Sequence, residues 1–262
     1  MMNALIKQAL RPVRRAISRL VMPDMILKNL HPLYLAADFV CAEEVPGDYL
    51  EFGVFRGASF LCAYHAMTAA VRDWGSRRRA ALAYSDPRRA EEAFSRVVPR
   101  QIRYFAFDSF AGLPDPVGLD TRSARFSKGR YDCSQEEFGR LLARSGVDLR
   151  SVVIVPGFYE QTLTAQLKQA HHLTAASIVM IDCDLYASAG AALEFVSDLV
   201  VEGTVLIFDD WLNFKANPEL GEQRACREWL QKHPEFRLTP FARWGVTQQS
   251  FIVHRSEAGS CV

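Results

Sequence analysis

From Tyr49 onward the apolar residues alternate between two spacings. Short, mostly apolar runs (Tyr49 to Val54, Tyr104 to Phe107, Val152 to Val155, Ile178 to Ile181 and Gly203 to Phe208) predict strands. Between them, apolar positions recur every three or four residues and predict helices over Ala58 to Val71, Gln161 to His171 and Ala187 to Val201. Ser134 opens a further helix with Glu137 at its capping-box position, and Ala225 to Lys232 ends another before Pro234. Phe236 to Pro240 and Ser250 to His254 read as two closing strands. The alternation predicts an α/β protein with a mostly parallel sheet and helices on both faces.

The first residues follow another rule. Ile6, Leu10, Val13, Ile17 and Leu20 form an apolar stripe, while Lys7, Arg11, Arg14, Arg15 and Arg19 fill other positions and no acid precedes Asp24. This predicts an amphipathic basic helix, starting after Pro12 or kinked there. Residues 1–45 are therefore expected as an N-terminal helical segment and residues 46–262 as the catalytic domain. The stripe can pack on its own domain or on a second subunit, which keeps a homo-oligomer open. Peripheral contact with an anionic membrane is the other reading.

Composition narrows the class. Formal net charge is +1 over 262 residues, so the whole molecule is not tuned to polyanions. The arginines between Arg72 and Arg100 lack an aromatic stacking series, so they read as a solvated excursion and no nucleic-acid partner is expected. Six scattered cysteines without C-x-x-C spacing fit a reduced cytosol better than a disulfide scaffold, and no secretory or membrane-spanning run is expected. A cytoplasmic location is the expectation.

Chemistry is concentrated where strands end. Asp182-Cys183-Asp184 follows the fourth strand and Asp209-Asp210 the fifth. In a parallel sheet those ends face one crevice. Carboxylates gathered there repel one another unless a cation joins them, and oxygen-only donors suit Mg²⁺. Residues two apart on a strand share a face, so Asp184 reaches the same cleft if the extended backbone persists past Asp182. Each acid alone could instead cap the helix that follows. The turn Glu51-Phe52-Gly53-Val54-Phe55-Arg56-Gly57-Ala58-Ser59 gives a ligand close approach to backbone amides, although G-x-G-x-x-G is not met. Asp108, at the end of the second strand, is placed to accept from a ribose diol. The histidines His65, His171, His172 and His254 read as structural, and Asp115 to Tyr131 as a lid.

Glu51 to Gly57, the run Phe107-Asp108-Ser109-Phe110-Ala111-Gly112-Leu113-Pro114, the run Ile181-Asp182-Cys183-Asp184-Leu185-Tyr186 and Phe208-Asp209-Asp210-Trp211 occur in the order seen in the macrocin O-methyltransferase (TylF-type) family, which the chain resembles from about Tyr49 to Leu230. The resemblance implies a Rossmann-like class I methyltransferase fold, seven strands with the last antiparallel, S-adenosylmethionine (SAM) as methyl donor and a magnesium ion. It implies that Glu51, Gly53 and Gly57 line the methionine end of SAM, with Ser59 in the same cofactor turn. Asp108 would hold the ribose with Ser109 nearby, Asp182, Asp209 and Asp210 would bind the metal, and Asp184 would be the general base. The acceptor implied is a sugar hydroxyl of a glycosylated natural product or surface polysaccharide. A catechol-type phenolic O-methyltransferase and a catalytically inactive SAM-fold scaffold are the alternatives.

Overall fold

The computed structural model describes residues 31–85, 102–122 and 126–256, leaving out the side chains of 77–85. The amphipathic stripe from Ile6 to Leu20 lies outside the described residues.

Helix α1 (Pro32–Ala42) leads into β1 (Asp48–Phe52) and α2 (Ala58–Ser85). Strand β2 (Tyr104–Asp108) is followed by a 3-10 turn, Gly118–Arg122, and α3 (Gln135–Arg144). Then come β3 (Val152–Pro156), α4 (Tyr159–Thr162), α5 (Ala165–Ala170), β4 (Ala176–Ile181) and α6 (Tyr186–Val196). Strand β5 (Val200–Phe208), α7 (Asn213–Ala216), α8 (Gly221–Lys232), β6 (Phe236–Trp244) and β7 (Gln248–Arg255) are the last elements among the described residues.

The seven strands lie in the order β3-β2-β1-β4-β5-β7-β6. Strands β1 to β5 pair in parallel, and β7 runs antiparallel between β5 and β6. This is the expected seven-stranded sheet. The order reverses between β1 and β4, the place where open α/β sheets leave a crevice.

Side-chain alternation divides the core into two layers. Phe52, Phe107, Ile181 and Phe208 face α6 and α8, against Ala192, Leu193 and Trp229. Tyr49, Tyr104, Met180 and Ile207 face the other side, where Ala36 and Val40 of α1, Phe60 and Met67 of α2 and Phe138 of α3 cover them. Burial on both faces explains why the strands read as mostly apolar runs.

Register then aligns the strand ends. Phe52 pairs with both Phe107 and Ile181, and Ile181 with Phe208. One residue further, the amide of Gly53 donates to Phe107, that of Asp182 to Phe52 and that of Asp209 to Ile181, all within 3.0 Å. The first polar residues after three strands thus stand at one level.

Three helix boundaries differ from the sequence expectation. Helix α2 continues through the arginine run to Ser85, because arginine is a good helix former even where the apolar stripe fades. The helix expected over Gln161 to His171 is broken in two: Thr164 is extended and its hydroxyl caps α5 by accepting from Leu167 at 3.2 Å. Helix α6 stops at Val196, and Val200 already belongs to β5. The capping box of Ser134 and Glu137 is present. Among the described residues no helix is long and apolar enough to cross a membrane.

Candidate active site

A cavity of about 340 Å³ opens at the carboxyl ends of β1, β2, β4 and β5. Gly53, Asp108, Ser109, Asp182, Asp184, Asp209 and Asp210 all line it. Glu51, Gly57 and Ser59 do not.

The turn after β1 is shaped by close backbone approach. Gly53 has φ +89°, and a Cβ there would sit 1.9 Å from the carbonyl oxygen of Asp182. Only a residue without a side chain lets these two turns touch. Gly57 serves packing: a Cβ there would meet the Phe138 ring at 2.8 Å. Glu51 is 0% exposed, behind the turn. Its carboxylate accepts from the Tyr49 hydroxyl and, at 2.5 Å, from that of Ser59. Burial pushes this carboxyl up to about 7, against the lowering effect of those two hydroxyls.

Asp108 does more than the ribose reading anticipates. Its Oδ2 accepts the amides of Val54 at 2.9 Å and Phe55 at 3.0 Å, and its Oδ1 that of Phe110 at 2.8 Å. It thereby ties the β1 turn to the β2 turn. A carboxylate has about four acceptor directions, so one is left for a ligand. The Ser109 hydroxyl donates to Gly112 O at 2.7 Å and accepts from Ala111 N at 3.1 Å. Aromatic rings flank this side: Phe55, 38% exposed, meets Tyr131 edge-on at 5.9 Å, and Phe158 and Tyr159 line the wall after β3.

The acids gather on the opposite wall. Burial drives the Asp182 carboxyl well above its ordinary range, and Asp209, Asp210, Glu51 and Asp184 push the same way. The strongest charges acting on it are all carboxylates. Burial also raises Asp209, partly offset by Gln248, whose Nε2 donates to Asp209 Oδ1 at 3.2 Å. Asp184 reaches the cavity by a different route from the expected strand alternation. The backbone turns sharply, with Leu185 N–H donating to Cys183 O at 2.6 Å and Asp184 at φ +61°. The extended conformation therefore ends at Asp182, and the turn points Asp184 inward.

Sequence reasoning missed Glu222. It is 1% exposed in the first turn of α8, and its Oε2 accepts the Asp210 amide at 2.9 Å. Its Oε1 has no hydrogen-bond partner. Burial raises its carboxyl well above the usual range, followed by Asp210, Asp182 and Asp209. Gln248 and Asp120 were missed too, because each acts across long sequence separations that leave no local pattern.

The magnesium expectation meets a geometric limit. Among the described residues no group of three or more His, Cys, Asp or Glu side chains is arranged to hold a metal ion. Asp209 and Asp210 engage different partners: Gln248 Nε2 donates to the first and Asn213 Nδ2 to the second. The donor chemistry nevertheless fits a hard cation, being all oxygen and mutually repelling.

The sequence profile of the macrocin O-methyltransferase (TylF) family matches residues 93–231. The chain belongs to that family. The match takes in Asp108, both acid-bearing turns and Glu222, and stops short of the β1 turn and of Gln248. A Streptomyces olivaceus protein, 8-demethyl-8-(2,3-dimethoxy-α-L-rhamnosyl)-tetracenomycin-C 4'-O-methyltransferase, is 28% identical over 195 residues, 71% of this chain. This chain spans 60% of that relative's length. Among solved structures, the O-methyltransferase NovP superposes with a TM-score of 0.61 at 22% identity, covering 88% of this chain and 80% of NovP. The calicheamicin methyltransferase CalS11 gives 0.59 at 20%, covering 95% and 89%. At these identities the likeness establishes the class I methyltransferase fold expected of a TylF-family chain.

Proposed function

We propose that this protein is a SAM-dependent O-methyltransferase acting on a sugar hydroxyl of a glycosylated natural product. One observation carries the reading: acids from two strand ends share a single cavity with the glycine turn after β1. Family membership and the rhamnoside named for the Streptomyces relative support the substrate class.

Gly53 lines the cavity where the methionine end of SAM would lie, and Asp108 offers its remaining acceptor direction to a ribose hydroxyl. Glu51 and Ser59 brace the turn from behind. When bound, SAM supplies a methyl group on a positively charged sulfur. Asp184 would accept the proton of the acceptor hydroxyl while the acceptor oxygen forms the new C–O bond and the methyl–sulfur bond breaks, its electron pair staying on the departing thioether sulfur. Aliphatic hydroxyls are weak nucleophiles, so alignment and proton removal both matter.

Asp182, Asp209 and Asp210 would hold a Mg²⁺ ion, whose charge would relieve their repulsion and favour an ionised acceptor oxygen. Rotation about their side-chain bonds is needed to turn these oxygens toward one point.

Calorimetry with SAM, with and without Mg²⁺, tests the first half; radiolabelled methyl transfer tests the second. SAM binding, with the rhamnoside labelled in preference to catechol, is the expected result. No SAM binding at millimolar ligand overturns the reading and leaves a scaffold. Preferential labelling of catechol replaces the sugar with a phenol.

A further inference from the structure

The connection between β2 and α3 touches both acid-bearing turns. Its 3-10 turn delivers Asp120, which is 1% exposed. Asp120 Oδ1 accepts the N–H of Tyr186 at 2.7 Å, and Oδ2 that of Ala187 at 3.2 Å. These are the first two residues of α6, and Leu185 just before them provides no side-chain cap. A helix begins with N–H groups that lack partners within it, and a short polar side chain immediately upstream normally accepts from one. Here the acceptor lies 66 residues away in sequence.

The capped end follows directly on Cys183-Asp184-Leu185. Asp184 is left-handed there, at φ +61°, a conformation that persists in a residue with a side chain when the surroundings hold it. Tyr186 is gripped a second time at its ring: its hydroxyl donates to Glu228 at 2.6 Å and the Arg224 guanidinium lies 5.4 Å over the ring. Further along the same connection, Phe126 packs on Phe214 at 5.9 Å, just past Asp209-Asp210. Its base is closed by backbone bonds of 2.9 Å joining Leu113 to Gly129 and Arg130.

We propose that Asp120 is a positioning residue for the reaction. By capping α6 from another loop it fixes the Cys183-Asp184-Leu185 turn and so aims the Asp184 carboxylate at the acceptor hydroxyl. This rests on reading Asp184 as the base. The cap couples the β2–α3 connection to that base, so a displaced connection and a misaligned base are one event.

The test compares full-length wild type, Asp120→Ala, Asp120→Asn and Asp184→Asn. Acceptors are 8-demethyl-8-(2,3-dimethoxy-α-L-rhamnosyl)-tetracenomycin C and, as a more acidic diol, catechol. In Asp120→Ala, kcat on the rhamnoside should fall about tenfold or more with the KM for SAM unchanged. The loss on catechol should be smaller, since an acidic hydroxyl depends less on an aligned base. Asp120→Asn, which retains one carbonyl oxygen, should recover most of the loss. Hydrogen exchange of the peptide spanning residues 183–187 should be faster in Asp120→Ala.

Wild-type kcat in folded Asp120→Ala overturns the proposal, as does an equal loss on both acceptors that tracks weaker SAM binding. If Asp120→Ala does not fold, Asp120→Glu carries the same expectation, and wild-type kcat there is equally fatal. A wild-type rate in Asp184→Asn removes the base reading and this proposal with it. A slow Asp184→Asn beside an unaffected Asp120→Ala removes the proposal alone. If wild type methylates neither acceptor, the exchange measurement decides: unchanged exchange overturns, faster exchange supports.

Discussion

The two ends of the sheet treat buried acids in opposite ways. At the amino end Asp48 accepts from the Arg103 amide at 3.0 Å and from its guanidinium at 2.5 and 3.2 Å. Arg103 also donates to the carbonyls of His171 and His172. At the carboxyl end the half-buried Asp182 and Asp209 and the buried Glu222 stand beside other carboxylates, and each is raised above its ordinary range. The amino end is satisfied and stabilises the fold. The carboxyl end stores repulsion, which a structural role does not require and a binding site does.

Substitutions can break that contrast. The largest effect is expected for Asp182→Asn: turnover should fall about a thousandfold, the size seen when a group acting on transition-state charge is lost. In chelator and at alkaline pH, where these carboxyls are ionised, the same variant should melt higher than wild type, because a repelling charge has gone; a lower melting temperature would contradict the stored repulsion.

Next comes Glu51→Gln. The unfolded chain releases this proton near 4.5 and the folded chain only near 7. The folded state therefore holds more protons in that window, so stability is full below 4.5 and declines as pH rises through about 7. The decline should approach about 3 kcal/mol. Denaturant titrations at several pH values should show it in wild type and not in Glu51→Gln.

Asp48→Asn should act in the reverse sense from Asp182→Asn. It weakens a bidentate contact at a largely buried site and should cost about 2 kcal/mol by urea denaturation, with turnover per folded molecule unchanged. Loss of turnover there would erase the distinction between the two ends.

The smallest effect belongs to Gln248→Ala. It removes the donor that holds Asp209 and should lower turnover about fivefold while SAM affinity stays constant, an effect of about 1 kcal/mol.

How far the chain could be read followed the range of the forces involved. An apolar run ending in an acid is a local pattern, and so β2, β4 and β5 and the acids closing them were legible. Seven strands were legible as well, whereas the antiparallel run of the last came only from the resemblance to the TylF-type family. Local pattern misled where tertiary contact decides conformation. Asp108 reads as a free ligand group, yet three amides from two turns occupy it. Glu51 was assigned to the methionine end of SAM by the resemblance and not by its pattern; its strand is buried on both sides and carries it behind the turn. Asp184 was placed correctly for the wrong reason, since a tight turn replaces the expected extension. Asp120, Glu222 and Gln248 were invisible because their partners are elements away in sequence.

The reversed strand β7 has a consequence for how proteins of this fold diversify. Because it runs against its neighbours, the hairpin at Gly245-Val246-Thr247 emerges at the same rim as the acids, with Thr247 on the cavity wall and its carbonyl accepting from Leu212 at 2.9 Å. Lengthening or exchanging that tip reshapes the mouth through which an acceptor enters and leaves the five parallel strands in place. New preferences can therefore arise by editing one short hairpin.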